Sequence, residues 1–354
     1  MYLEYFNLRE FPFRLTPDTE FLYMSSVHAR AKAYMDYTVW NREGFVVISG
    51  EIGCGKTLLI QKLLSELNDE NVLVAKVFQT QLNEVEFLQA VLVEFGFNPF
   101  NAQKVELIDM LNTFLIENFL KLKQLVLIVD DAHNLSMKVL EEIRMLSGLE
   151  TQKEKVLHVI LVGQPPLADM LEAPEMEQLL QRVRLRYHIK ALSQEEIADY
   201  VVHRLRVAGA NDRVLFTPET IPLVHKYTGG VPRLVNTLCD TALVCAYADG
   251  ATQVTATELN AAVEELQWIP YAKRVSARRL KGQSSRKNGA QGETEEGAES
   301  SAVTNRLNQL DALVPALGLM SDRMANIEML LKRIADSLTA TEARPEKKSI
   351  KREN

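Results

Sequence analysis

The octapeptide Gly50-Glu51-Ile52-Gly53-Cys54-Gly55-Lys56-Thr57 constrains this chain more than any other stretch. Its glycines let the backbone curl tightly enough for successive N–H groups to face one anion. Lys56 then supplies a point charge for β- and γ-phosphates, and Thr57 a hydroxyl for a magnesium ion. Such a loop works between a buried strand and the N-terminus of a helix, whose dipole favours the anion. The flanks agree. Phe45 to Ser49 is a short apolar run, and Leu58 to Leu67 repeats apolar residues at helical spacing. The octapeptide and the adjoining Leu58 are the candidate nucleotide-binding residues, with ATP and Mg2+ as the implied ligands.

Other runs resemble the strand before the loop. Val72 to Phe78, Leu125 to Val129 and Leu157 to Val162 are rich in Val, Ile and Leu without polar alternation, the pattern of strands covered on both faces. A fifth strand is expected at Arg184 to Ile189, and a helix at Val105 to Leu122. The β-α-β-α order predicts an α/β fold, a parallel five-stranded sheet sandwiched by helices, over residues 1–192. From Ser193 the pattern is helical only, and residues 193–270 read as a small all-α lid. Ser193 and Glu196 form a capping box for a helix to about Val207. Thr217-Pro218 is expected to open a second helix that closes at Gly229-Gly230, with two more at Val231 to Tyr247 and Thr255 to Trp268.

A phosphate loop of this kind needs an acidic partner at a neighbouring strand end. Leu125-Val126-Leu127-Ile128-Val129-Asp130-Asp131 provides it. Asp130 is expected to hold magnesium with Thr57, and Asp131 to polarise the attacking water. Gln164, at the end of the next strand, is placed to sense the γ-phosphate. Two arginines complete the candidate catalytic set, because a guanidinium stays charged and binds phosphate bidentately. Arg233 opens a lid helix and is assigned to this chain's own nucleotide. Arg182 precedes the last strand and is assigned to a neighbouring subunit's.

Composition sets outer limits. Forty basic against 47 acidic residues leave a net charge of -7, which argues against a surface coated by nucleic acid. Cys54, Cys239 and Cys245 have no metal-ligand spacing and suit a reducing cytoplasm. The N-terminus lacks the pattern of a signal peptide, and no apolar run approaches the roughly 18 residues of a membrane span. A basic run containing Lys273, Arg274, Arg278, Arg279, Lys281, Arg286 and Lys287 opens a stretch, 271–302, that reads as a disordered linker. Solvated tether and contact with anionic lipid or nucleic acid are both open for it. In 303–340, Leu317, Met320, Met324, Ile327, Leu331, Ile334 and Leu338 recur at coiled-coil steps. A charged tail, 341–354, follows.

The phosphate loop, acidic pair, strand-end glutamine and the two arginines resemble, in this order, an AAA+ ATPase. The likeness is closer to the ExeA (general secretion pathway protein A) ATPases. Phe11-Pro12-Phe13-Arg14-Leu15-Thr16-Pro17-Asp18, Phe21-Leu22-Tyr23 and His28 resemble that family's opening. Gln181 to His188, Tyr200 to Gly209 and Thr228 to Asp240 resemble it further on. The resemblance implies an AAA+ core and lid, MgATP hydrolysis, and ATP-dependent homo-oligomerisation. It also implies service to secretion or cell-surface assembly, with Leu15 to His28 lying against the adenine. A cytoplasmic site is expected, with peripheral contact at the inner membrane left open, and an envelope partner is assigned to the C-terminal helix.

The sequence departs from that family at several points. Asp131 stands where Glu is usual, Cys54 where Thr or Ser is, and the membrane span and peptidoglycan-binding region of fuller relatives are not present in these residues. Two other readings stay open: a DNA-binding ATPase of the transposition-regulator kind, less favoured because of the acidic charge, and a nucleotide-gated scaffold with little turnover.

Overall fold

The computed structural model describes residues 2–277 apart from 42–43, 68–70, 151–153 and 212. The expected C-terminal helix, the charged tail and most of the linker lie outside the described residues. Five parallel strands form one sheet: β1 Phe45–Gly50, β2 Val72–Val77, β3 Gln124–Val129, β4 Leu157–Gly163 and β5 Leu185–Ile189, in the order β2-β3-β4-β1-β5. Val47 lies beside Leu161 of β4 on one side and Arg186 of β5 on the other.

The strand period explains the layers. Successive side chains point to opposite faces, so a strand covered twice must be apolar throughout. Val46, Ile48, Val126, Ile128, Ile160 and Val162 pack under one pair of helices, α2 Ser26–Trp40 and α3 Lys56–Glu66. A short N-terminal helix, α1 Tyr2–Tyr5, precedes them. Phe45, Val47, Leu125, Leu127, Val129, Val159 and Leu161 point the other way, toward α4 Glu84–Glu94, α5 Lys104–Leu120 and α6 Met137–Leu146. Leu127 has no exposed surface, and truncating it to alanine would cost ~2–5 kcal/mol through lost transfer energy and the cavity left behind. Two short helices, α7 Pro166–Leu171 and α8 Glu177–Leu180, lead from β4 towards β5.

The lid is helical: α9 Gln194–Leu205, α10 Thr220–Thr228, α11 Pro232–Ala248 and α12 Ala256–Glu265. The Ser193–Glu196 capping box is formed in both directions, as is a second one at Thr255–Glu258. The helix expected to start at Thr217-Pro218 instead begins at Thr220, without a side-chain cap. A turn precedes it, with Thr220 N–H donating to the Thr217 carbonyl at 3.0 Å, while the Thr217 hydroxyl donates to the Val254 carbonyl at 3.3 Å. The helix expected to reach Val207 leaves α geometry after Leu205 and closes in a π turn around Gly209, whose φ is 92°. At the core–lid junction the backbones nearly touch. Leu192 N–H donates to the Gly230 carbonyl at 2.9 Å, and a Cβ on Gly230 would fall 1.9 Å from the Leu192 oxygen.

Two features depart from the sequence expectation. Tyr2, Phe6, Phe13 and Phe21 belong to the apolar cluster of the lid, so the N-terminal segment packs there and not against the sheet. The stretch expected to begin a disordered linker at 271 is helical through 277. Pro270 sits where a helix tolerates proline, its carbonyl accepting from Lys273 and Arg274 N–H, and the Arg274 guanidinium lies 4.5 Å from the Trp268 ring centre. Among the described residues no helix is long and apolar enough to cross a membrane.

Candidate functional site

The octapeptide bridges β1 and α3 as its composition requires. Gly53 and Gly55 both have φ of 84°, the left-handed region that glycine enters without a Cβ penalty. A further constraint acts on Gly53: an added Cβ would lie 2.6 Å from Cβ of Arg233. Gly55 is the N-cap of α3 and offers no side-chain cap, so the first N–H groups of this 11-residue helix have no capping side chain. A helix start left uncapped directly after a glycine loop is an arrangement suited to an anion.

The acidic pair meets this helix end. Thr57 Oγ1 donates to Asp130 Oδ2 at 2.7 Å, and Asp131 N–H donates to Asp130 Oδ1 at 2.9 Å. Burial pushes the Asp130 carboxyl above its ordinary range, while the Thr57 and Asp131 donors pull it back. Lys56 is buried and its Nζ donates to the Gly50 and Glu51 carbonyls at 2.8 and 2.9 Å. Burial lowers its pKa, and the neighbouring charges of Asp130 and Asp131 oppose that. Asp131 has φ of 50° and its side chain is 54% exposed, so it reaches solvent where Asp130 does not.

These groups open into a cavity of about 410 Å³. Ile52, Gly53, Gly55, Lys56, Thr57, Leu58, Asp131 and Gln164 form its core wall. Arg14 to Asp18 and the lid residues Tyr200, Arg204, Arg233 and Asn236 form the other. Arg233 is brought in by main chain, its N–H donating to the Gly53 carbonyl at 3.2 Å. Gln164 N–H approaches His133 Nδ1 at 3.4 Å, and that nitrogen lies 3.8 Å from Asp131 Oδ1.

Some candidates fall elsewhere. Arg182 is outside the cavity, its Nη1 donating to the Arg144 carbonyl at 2.7 Å and to Ser147 Oγ at 3.1 Å. Glu51 offers its carbonyl to Lys56 and leaves its side chain exposed. The Cys54 side chain is fully buried with Ile48, Leu59 and Ile60, and burial pushes its thiol up to about 11. It is a small core side chain and not an exposed redox group. Cys239 and Cys245 are buried and unpaired too. Among the described residues no cluster of acidic, His or Cys side chains has the makings of a separate metal site. A larger cavity, about 510 Å³, lies on the lid between α9 and residues 211–222, has mainly apolar walls, and holds none of the candidate residues.

Several residues of the cavity wall carry no motif signal. Arg204 Nε donates to the Pro12 carbonyl at 2.6 Å and Nη2 to that of Arg14 at 3.2 Å, with the guanidinium 4.6 Å from the Phe21 ring centre. Asn236 accepts from the Tyr200 hydroxyl at 2.6 Å and donates to the Arg14 carbonyl at 3.3 Å. These bonds hold residues 12–18 as a wall of the cavity. Only the resemblance could have pointed to them, since they join residues far apart in the chain.

Comparison with known proteins bears on the family and the fold. A family profile described as an AAA domain matches residues 40–171. General secretion pathway protein A of Aeromonas hydrophila is 38% identical over 271 residues, which are 76% of this chain and 49% of that protein. The chain thus spans about half the length of this curated relative. Among solved structures, Cdc6p of Pyrobaculum aerophilum superposes with a TM-score of 0.56 at 15% identity, covering 72% of this chain and 70% of the other. The ORC2 protein of Aeropyrum pernix, in ADPNP–ADP complexes, gives 0.54 at 18%, covering 72% and 71%. At such identities the likeness establishes the fold, an AAA+ core followed by a helical lid.

Proposed function

The chain is a homologue of general secretion pathway protein A that carries an AAA domain, and from that premise we propose that it binds ATP with magnesium and hydrolyses it to ADP and phosphate, serving secretion or cell-surface assembly. The observation that carries the chemistry is the Thr57–Asp130 bond of 2.7 Å at the uncapped start of α3. It joins a hydroxyl and a carboxylate, hard oxygen donors that suit Mg2+, beside a ring of backbone donors that suits phosphate. Thr57 would hold the ion directly and Asp130 through water. When bound, the ion neutralises charge on the β- and γ-phosphates.

The chain's own residues divide the remaining work. The amides of Gly53 to Thr57 cradle the phosphates, and Lys56 exchanges its two carbonyl partners for β- and γ-phosphate oxygens. Asp131, the exposed carboxylate of the pair, orients the water that attacks the γ-phosphorus. Gln164 and Arg233 lie on opposite walls of the cavity and contact the γ-phosphate from the core and the lid. The wall at Leu15 to Asp18 takes the base. Arg182, held on the C-terminal turn of α6, completes the site of a neighbouring copy in an ATP-dependent oligomer. The envelope partner is assigned to residues 303–340 on the strength of their heptad pattern, and the protein to the cytoplasmic side.

The test is ATP turnover by the full chain over a series of protein concentrations, beside Lys56→Ala. Specific activity should rise with concentration and vanish in the variant. Turnover independent of concentration would remove the trans role of Arg182. ATP binding with no turnover at any concentration would overturn the hydrolase reading in favour of a nucleotide-gated scaffold.

A further inference from the structure

A phosphate loop binds through its amides, and a flipped peptide would place an oxygen lone pair against the phosphates and remove a donor. One carbonyl of the loop is held by a side chain from outside the motif. His28, 26 residues before Cys54, brings its Nε2 to 2.8 Å from the Cys54 oxygen. That oxygen carries no proton, so Nε2–H is the donor. The other ring nitrogen, Nδ1, lies 2.7 Å from Ser25 Oγ, and in the neutral Nε2–H form it accepts from that hydroxyl. Burial favours the same form by lowering the His28 pKa.

The ring cannot easily turn away. Ser25 is the N-cap of α2, its oxygen also accepting from His28 N–H at 3.4 Å. Gly55 lies against the ring, Nε2 falling 3.2 Å from where a Cβ on Gly55 would be. His28 is itself buried and does not line the 410 Å³ cavity; it faces a small adjoining recess that shares Gly55 and Leu58 with it. The Cys54 carbonyl is therefore fixed toward the His28 ring.

We propose that His28 is a positioning residue for the phosphate cradle, its Nε2–H holding the Cys54 carbonyl so that the loop amides face the nucleotide. This rests on the nucleotide-binding reading of the same site. It goes further by naming a residue outside the motif on which phosphate affinity depends. A purely space-filling histidine would make a different set of demands, and the two roles separate by substitution. His28→Leu keeps comparable volume without a donor, whereas His28→Gln returns an amide N–H near the position of Nε2.

The experiment measures binding of a fluorescent, non-hydrolysable ATP analogue to the full chain, with thermal midpoints and steady-state ATPase taken alongside. Wild type, Lys56→Ala, His28→Leu, His28→Gln and Ser25→Ala are compared. For His28→Leu the affinity should fall by about tenfold or more, the scale of one lost hydrogen bond to a buried group, with KM rising and kcat within about twofold. His28→Gln should recover to within about threefold of wild type. Ser25→Ala, which leaves the donor but frees the ring, should fall between, and it carries the test should His28→Leu fail to fold. Equal affinity in wild type and His28→Leu, with Lys56→Ala inactive, would overturn the His28 role alone. Equal weakening in the Leu and Gln variants would overturn it in favour of packing. Absence of binding by the wild type would overturn both readings.

Discussion

The two walls of the nucleotide cavity are built by different physics. The core wall is local. Residues 50–58 run directly from β1 into α3, and Asp130, Asp131 and Gln164 follow the ends of the adjacent strands β3 and β4. Once the sheet forms, these groups have almost no freedom about where they arrive. The opposite wall is assembled from side chains of the lid that grip backbone carbonyls of residues 12–14 across 190 or more positions of sequence. A parallel sheet delivers its strand ends to one edge regardless of what lies opposite. A wall made by Arg204 and Asn236 exists only if the lid packs as observed. Damage to the first wall should therefore strike the chemistry, and damage to the second should strike affinity and stability together.

The largest effect is expected from Asp130→Asn. Thr57 keeps a partner, so the fold survives, but the charge that would hold magnesium is gone. Turnover should drop by at least about a hundredfold, measured by phosphate release, with the thermal midpoint shifted by only a few degrees. A loss of stability as large as the loss of rate would show that the core wall is not as independent as the comparison requires.

Arg204→Met should break the second wall. The Pro12 and Arg14 carbonyls would lose their buried donor, costing about 2–3 kcal/mol of stability. KM for ATP should rise about tenfold while kcat changes less, because residues 14–18 would no longer be held against the base. A fall in kcat with KM unchanged would place Arg204 on the chemical side of the cavity.

A finer test uses Asp131→Glu. The added methylene carries the carboxylate further into the cavity, and turnover should rise a few-fold. The position has φ of 50°, which aspartate tolerates better than glutamate, so stability should drop by about 1 kcal/mol. An unchanged rate would mean that the reach of Asp131 does not limit the reaction. Its conformation explains why the shorter acid is at home here. A residue in the left-handed region benefits from a short polar side chain that can bond locally.

The smallest effect should come from Cys54→Ser. The thiol is buried and stays protonated until the pH nears about 11, so thiol reagents should label it slowly at neutral pH. ATP affinity of the serine variant should stay within about twofold of wild type, with about 1 kcal/mol of stability lost for burying a hydroxyl among apolar groups. Rapid labelling of native Cys54 that blocks ATP would reverse this.

Legibility followed the same division as the walls. Strands β1, β3 and β4 are readable because both their faces are covered, which leaves a nearly unbroken Val, Ile and Leu signal, whereas edge strand β5, Leu-Arg-Tyr-His-Ile, is half-exposed and carries a weaker one. Helix α2 is not readable, since its buried face includes Ala31, Thr38 and His28, too small or polar to show a clear apolar period. Helix α10 starts at Thr220 because 217–221 first close as a turn on the Thr217 and Pro218 carbonyls, which a Thr-Pro pair does not distinguish from a first helical turn. The charged residues around Arg274 give the helical backbone at 271–277 the composition of a linker and hide its packing on Trp268.

The sequence by itself determined the phosphate loop, the acidic pair and the sheet that carries them, because each depends on residues a few positions apart and on a backbone geometry that glycine or a strand end imposes. Only the tertiary structure decided that Arg233 closes over Gly53, that Arg204 and Asn236 hold the wall at 12–18, and that His28 anchors the Cys54 carbonyl. It likewise decided that Arg182 leaves this chain's own cavity for the end of α6. Those contacts join residues whose spacing carries no period, so nothing short of the packed fold specifies them.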